Sequence, residues 1–412
     1  MLLTQLLNQL VRTGSLSVID GRGRTHVFGD NSKPRAAIRL HRRWLDYSLA
    51  VNPPLRLGEA YMDGTLTIEE GALGDFLEIL ARNYDRIRTH PLFRAIDWME
   101  LMLRRYNTVP AARRHVAHHY DLSDRLYELF LDPDRQYSCA YFPTGRESLE
   151  EAQTKKKHHI AAKLFLNRPG LRILDVGSGW GGLALHLARI AESEVVGITL
   201  SEEQHATATR RALQEGLAAS VRFEMKDYRE IRGTFDRIVS VGMFEHVGRA
   251  YYRTFFRRMK DLLAKDGVAL LHTIGWPDAP VPINPFIRKY IFPGAELPSL
   301  SELLAVIERS GLFVTDVEIL RQHYAHTLRH WIQLFERNRH EIQALYDERF
   351  CRMWEFYLAG CETFFRHGMM VVYQIQLAKS VNHLPMTRDY MYAPRIAETH
   401  IVPTTGPTRL VH

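Results

Sequence analysis

Cysteine is scarce in this chain: Cys139, Cys351 and Cys361 are the only three. Three thiols build no disulfide framework, and no C-x-x-C pair is present to hold zinc, so each is expected as a buried free thiol. Apolar runs long enough to cross a bilayer are also missing, which excludes a helical membrane protein. The first residues, MLLTQLLNQLVRTG, lack a basic start, and Gln5, Asn8 and Gln9 interrupt their leucines. They predict an amphipathic helix and no signal peptide, and cytoplasmic residence is the default expectation. No internal repeat is present. What remains is ordinary for a folded protein, with 46% hydrophobic and 25% charged residues over 412 positions. That length suits two domains with sizeable cores. Acidic residues are short in one region: residues 1–115 carry 17 Lys and Arg against 12 Asp and Glu, most of a formal net charge of +7. The excess gathers at Lys33, Arg35, Arg39, Arg42 and Arg43 and again at Arg104, Arg105, Arg113 and Arg114. Such a patch suits a polyanion, either nucleic acid or an anionic lipid surface, or is simply a solvated basic face.

Glycine, by contrast, is concentrated where it counts. In Leu171–Leu183 (LRILDVGSGWGGL) a short apolar run ends in Asp175, and Gly177, Gly179 and Gly181 follow at alternate positions before helical spacing begins at Leu183. Strand, glycine turn and helix make the opening βα unit of a doubly wound sheet, with a ligand crevice at the turn. Gly177, Gly179 and Gly182 also satisfy G-x-G-x-x-G, but a carboxylate before the first glycine suits a cationic ligand better than a pyrophosphate. The next strand ends in Thr199, Leu200 and Ser201, without the acid an NAD ribose needs. S-adenosylmethionine, which carries an ammonium and a sulfonium and no phosphate, fits better.

Along the chain, residues 1–110 read as a separate N-terminal α+β domain, 111–395 as the catalytic domain and 396–412 as a tail. In the first domain β-like pieces at Thr25–Phe28 and Ala36–Leu40 precede an extended break at Asn52-Pro53-Pro54, a turn at Asp63-Gly64 and a helix from Leu73. An apolar and basic helix is expected over Pro91–Arg105, then a linker over Tyr106–Arg114. A helix at Leu122–Leu131 leads to Tyr137-Ser138-Cys139-Ala140-Tyr141-Phe142, and Glu147–Leu166 is a second helix with an exposed Lys155-Lys156-Lys157 run. Strands at Glu194–Leu200, Val221–Met225, Phe235–Val241 and Val268–Ile274 alternate with helices at Ser201–Gln214 and Tyr251–Leu263. Pro280–Gly294 is expected as a long covering loop. Helices at Ser299–Ser310, Leu328–Tyr346 and around Glu355–Arg366 precede a closing strand at Met369–Leu377, and the chain after about Asn382 reads as surface. The fold class is α/β, a doubly wound, mostly parallel Rossmann-like sheet beside the smaller N-terminal domain.

Several spaced motifs together resemble the cyclopropane fatty acid synthases. They are His119-Tyr120-Asp121-Leu122, Tyr137-Ser138-Cys139-Ala140-Tyr141, LDVGSGWGG, Gly197-Ile198-Thr199-Leu200-Ser201 with Gln204, and Phe244-Glu245-His246-Val247-Gly248. Tyr290-Ile291-Phe292-Pro293-Gly294 and Tyr324 with Leu328 continue the likeness, and LGEAYMDG resembles the bacterial form with its added lipid-engaging domain. Ser178 departs from it, since many relatives have cysteine there. The resemblance implies that Tyr137 and Ser138 contact the methionyl end of S-adenosylmethionine and that Gly177 and Gly179 lie against it. Thr199 and Gln204, with Leu200 beside them, would reach the ribose, and Asp227 and Tyr228 the adenine.

It also implies a chemistry. Methyl transfer from sulfonium to an isolated alkene leaves a carbocation, and loss of a proton from the new methyl closes a cyclopropane ring. Tyr141, Phe142 and Trp276 are candidate aromatic neighbours for the cation, with core packing the alternative role for each. The base implied is a bound bicarbonate held by Cys139, Glu245, His272, Ile274 through its backbone, and Tyr324. The expected substrate is the cis double bond of a phospholipid acyl chain, reached by a peripheral enzyme at a membrane surface, with no nucleic-acid partner, no metal and a homodimer left open. Alternatives are a related enzyme giving a methyl-branched lipid, a small-molecule N-methyltransferase, and a cofactor-binding lipid-surface protein without catalysis.

Overall fold

A computed structural model describes residues 2–91, 93–95 and 122–392. Most of the expected Pro91–Arg105 helix, the Tyr106–Arg114 linker, the basic residues Arg104, Arg105, Arg113 and Arg114, the His119-Tyr120-Asp121 motif and the 396–412 tail lie outside the described residues.

The N-terminal part begins with α1 (Leu2–Leu10) and continues through β1 (Ser15–Ile19), β2 (Thr25–Gly29), β3 (Arg35–Leu40), α2 (Leu45–Val51), α3 (Pro53–Met62), β4 (Leu66–Glu70), α4 (Leu73–Arg82) and α5 (Tyr84–Thr89). Its four strands form one sheet in the order β2-β1-β3-β4. Pro53 and Pro54 do not break the chain as expected. They occupy the first turn of α3, where a missing N–H costs nothing and the fixed φ suits a helix.

The larger second part comprises α6 (Asp124–Phe130), α7 (Leu149–Lys163), β5 (Arg172–Val176), α8 (Gly182–Ala191), β6 (Glu194–Thr199), α9 (Glu202–Gln214), β7 (Val221–Met225), β8 (Phe235–Val241), α10 (Tyr252–Leu262) and β9 (Leu263–Gly275). It ends with α11 (Pro285–Tyr290), α12 (Leu300–Ser310), β10 (Phe313–Leu320), α13 (His323–Arg337), α14 (Arg339–Leu345), α15 (Glu348–Arg366) and β11 (Val371–Ala378). The seven strands run in the order β10-β11-β9-β8-β5-β6-β7. β11 is antiparallel to both β9 and β10, while β5 to β9 pair in parallel. Strand order reverses at β5, which puts a crevice beyond its carboxyl end. The backbone there needs glycine: Gly177 has φ +87°, and a Cβ on it would meet Met243 Cβ at 2.7 Å.

Four further expectations change in this part. The strand β10 was not anticipated, the Pro280–Gly294 cover contains α11, and the single Leu328–Tyr346 helix is α13 and α14 divided at Asn338. Nor is the chain after Asn382 all surface, because Tyr390 and Met391 are buried and Tyr390 shares hydrogen bonds with Gln376.

The two parts are packed together. Phe286 of α11 and Phe356 of α15 enter the core formed by α1 to α4 and the first sheet. Glu59 of α3 accepts from Lys289 at 2.8 Å and from the Tyr290 hydroxyl at 2.9 Å. Gly58 lies so close to Phe286 that a Cβ would come within 2.4 Å of its ring. Among the described residues, no helix is long and apolar enough to cross a membrane.

Candidate active site

Asp175 stands one residue before the end of β5, at the crevice, and all the residues expected to hold the cofactor line that one cleft: Tyr137, Ser138, Asp175, Gly177, Gly179, Thr199, Leu200, Gln204, Asp227 and Tyr228. Burial raises the Asp175 carboxyl to about 7, against the opposing pull of Lys156. Its Oδ2 is buried with no partner in the protein, an acceptor suited to a cationic group. Thr199 donates to Gln204 Oε1 at 2.9 Å, which orients both neutral side chains at the end of β6. Asp227 accepts from Arg229 with both oxygens, at 2.7 and 2.8 Å, so this carboxylate enters the cleft wall already charge-paired. Trp180, in the turn after Gly179, also lines the cleft and donates to Asp124 at 2.9 Å.

A second, mainly apolar cavity begins between the helices of the N-terminal part, at Leu3, Leu7, Leu49, Pro53 and Leu57. It runs to Cys139, Glu245, His272, Ile274 and Tyr324. All five residues expected at the base are therefore together at its inner end. Tyr137, Ser138, Gly242 and His246 line both spaces, which makes them the junction between cleft and cavity.

The polar end is buried and held from several elements. Glu245 sits in a short 3-10 turn after β8, where Oε1 accepts the Ile274 amide at 2.7 Å and Oε2 is buried without a partner. Burial raises its pKa, opposed by that amide hydrogen bond. The Ile274 backbone thus fixes the carboxylate by its N–H. His272 on β9 meets the Gln374 side-chain amide of β11 at 3.1 Å through Nδ1. With the amide nitrogen donating, Nδ1 accepts and the ring proton is on Nε2. Burial, reinforced by the Lys156 charge, lowers its pKa to about 3, so the ring is neutral at ordinary pH. Tyr324, at the start of α13, is buried and its phenol is pushed well up by that burial. The Cys139 thiol is likewise pushed up by burial and donates to the Ala140 carbonyl at 3.3 Å, so it is no thiolate nucleophile. An unpartnered carboxylate oxygen beside neutral N–H and O–H donors fits a small anion that brings its own proton.

Two expectations are corrected. Tyr141 and Phe142 line neither space: Tyr141 stacks between His159 at 4.2 Å and His323 at 4.9 Å, while Phe142 stacks on His330 at 5.7 Å. Aromatic walls near the junction come instead from Tyr137, Trp276, Phe292, Tyr324 and Tyr357. The lysine run is not uniformly exposed, since Lys156 is only 1% exposed. Helical spacing held the signal: Ala152, Lys156, Ile160 and Lys163 recur three or four apart, and all face inward. His246 and Gln374 were also missed. Adjacency to Glu245 signals the first, whereas only strand pairing brings Gln374 to His272.

The fold and this paired site define an S-adenosylmethionine-dependent methyltransferase. Residues 108–375 match the family model described as mycolic acid cyclopropane synthetase, and the chain belongs to that family. Residues 3–90 match a second family model described only as a domain of unknown function. The chain is 40% identical over 349 residues to a probable fatty acid methyltransferase of Pseudomonas putida, covering 82% of this chain and 86% of the relative. It is 37% identical over 332 residues to the cyclopropane-fatty-acyl-phospholipid synthase of Escherichia coli, covering 80% and 84%. A crystal structure of a mycolic acid cyclopropane synthase complexed with SAH and CTAB aligns with TM-score 0.61 and 36% identity, over 64% of this chain and 97% of that one.

Proposed function

We propose that the protein methylenates the cis double bond of an unsaturated phospholipid acyl chain, using S-adenosylmethionine and closing a cyclopropane ring. One observation carries this reading: an apolar cavity long enough to run from the N-terminal helices to Glu245, His272 and Tyr324 opens beside the cofactor cleft at Tyr137 and Ser138. An acyl chain is the ligand whose chemistry matches such walls, and the names of the Pseudomonas putida and Escherichia coli relatives support a lipid substrate.

For the base we propose bicarbonate, held by Glu245, His272, Tyr324 and the backbone near Cys139 and Ile274. When bound, that ion supplies a proton acceptor that is not a fixed side chain open to alkylation. Glu245 Oε2 would accept the ion's hydroxyl, the His272 Nε2–H and the Tyr324 hydroxyl would hold its oxygens, and the apolar walls would keep water out. Membrane docking through the N-terminal part belongs to the same proposal. Trp44, Tyr47 and Val51 are 58%, 68% and 46% exposed on one side of α2, next to exposed Arg42 and Arg43. Leu49, on the other side of α2, lines the cavity. An aromatic and basic face backed by an acyl-sized space suits an anionic lipid surface.

The test is incubation with S-adenosylmethionine and vesicles of cis-unsaturated phospholipid, followed by mass spectrometry. The expected product gains one CH2 and no longer takes up hydrogen as an alkene. A product with the same gain that is still reducible, or with a saturated methyl branch, would replace this reading by methyl branching. Thorough removal of carbonate should suppress turnover and added bicarbonate restore it; indifference to both would remove the ion.

A further inference from the structure

Lys156 is a cation with almost no contact with water, on the face of α7 that covers the Gln136–Cys139 loop. Its ammonium donates to Gln136 Oε1 at 2.6 Å and to Ser138 Oγ at 2.9 Å. The Gln136 amide is oriented independently, because its Nε2 donates to Asp134 at 3.0 Å. Gln153, one turn earlier on α7, donates to the carbonyls of Gln136 and Ser138 at 3.1 and 3.0 Å, so the loop is tied to the helix by main chain as well. Among the described residues no carboxylate lies within ion-pair distance of this ammonium. The charges it acts on stand farther off: Asp132, Asp134, Lys157 and Asp175. A buried ammonium costs several kcal/mol unless it is compensated, on the order of what a lost buried hydrogen-bond network costs. Holding a loop that Gln153 already holds does not account for it.

The hydrogen-bond arithmetic at Ser138 does. An ammonium has donors only, so Ser138 Oγ must be the acceptor in their bond. The hydroxyl has a single proton, and Ser138 lines the cofactor cleft. We infer that Lys156 is a positioning residue for the cofactor: by occupying a lone pair of Ser138 Oγ it directs the Ser138 proton into the cleft, to an acceptor oxygen at the amino-acid end of S-adenosylmethionine. The inference rests on the assignment of this cleft to the cofactor.

The experiment is a double-mutant cycle with Ser138→Ala and Lys156→Met, read by calorimetric titration of the full chain with S-adenosylhomocysteine and by thermal unfolding without ligand. Each single substitution is expected to weaken binding about tenfold, as for one hydrogen bond assisted by charge, and the double substitution little more than either alone. A merely structural lysine would lower the unfolding temperature and its effect on binding would persist in full in the Ser138→Ala background. Full additivity, or wild-type affinity in Lys156→Met, would overturn the inference. Should Lys156→Met not fold, Ser138→Ala decides: unchanged affinity overturns it, and a tenfold loss at an unchanged unfolding temperature supports it. Absence of binding by the unaltered protein would overturn the cleft assignment and this inference with it.

Discussion

Asp175 and Glu245 are carboxylates held away from water on opposite sides of the Tyr137–Ser138 junction, and each has one oxygen without a protein partner. For Asp175 the sign is simple. An acid raised from 3.8 to about 7 on folding leaves the ligand-free protein unpenalised below the lower value, with a penalty that grows between the two and is full above the upper one. Asp175→Asn should therefore stabilise the ligand-free protein at pH 8 by about 1–3 kcal/mol and much less at pH 4, measured by denaturant unfolding. The same change should weaken S-adenosylhomocysteine binding at pH 8 and flatten its pH dependence, since only the ionised carboxylate attracts the ligand's ammonium. For Glu245 the expectation is different. Glu245→Gln keeps an oxygen to accept the Ile274 amide, so the protein should fold and bind S-adenosylhomocysteine normally while turnover falls about 100-fold or more, the scale of a lost acid–base group. Near-normal turnover would remove Glu245 from the chemistry.

At the scale of elements, local sequence was a good guide where one short stretch decides the outcome. The βα turn after β5, the turn at Asp63-Gly64 and the start of α4 at Leu73 all lie where glycine spacing and apolar periodicity put them. It failed where burial decides. α7 looks like a polar helix with a lysine stripe, yet its inward face carries Gln153, Lys156, His159 and Lys163, because the partners that make those groups tolerable come from distant segments. Lys163 and His159 both reach Glu318 on β10, the strand that the sequence pattern did not disclose. α2 shows the converse, with large apolar side chains on its outer side. Replacing Trp44 and Tyr47 together by serine should leave stability within about 0.5 kcal/mol, as for exposed positions. It should nevertheless release the protein from anionic vesicles in a sedimentation assay while sparing turnover on detergent-dispersed lipid. Retained vesicle binding would dismiss α2 as the docking face.

Across the whole molecule, the N-terminal part is a wall of the apolar cavity. α1 to α3 line the cavity whose other end is Glu245, and the contact is sealed by Gly58 against Phe286 and by Glu59 with Lys289 and Tyr290. Gly58→Ala tests this coupling. An alanine in a helix gains about 1 kcal/mol over glycine by propensity, but here its Cβ would press on the Phe286 ring, and overpacking costs about 1–3 kcal/mol. The expected result is a net loss of stability and of lipid turnover, with S-adenosylhomocysteine affinity unchanged because the cofactor cleft lies across the junction. A more stable, fully active variant would show the two parts to be independent.

From its sequence alone the chain determined the parallel α/β core, the glycine turn and its preference for a cationic ligand over a pyrophosphate. Most of the ten cleft residues and all five inner-cavity residues were legible only through the resemblance of the spaced motifs to the cyclopropane fatty acid synthases, since spacing within short segments singles out little beyond Asp175 and the glycines. Only tertiary structure decided that the N-terminal helices share the cavity, that Lys156 is buried behind Ser138, that Gln374 sets the His272 tautomer, and that Tyr141 and Phe142 turn away from the reaction. Each of those outcomes depends on which distant surfaces exclude water from a group, and desolvation is a property of the packed whole.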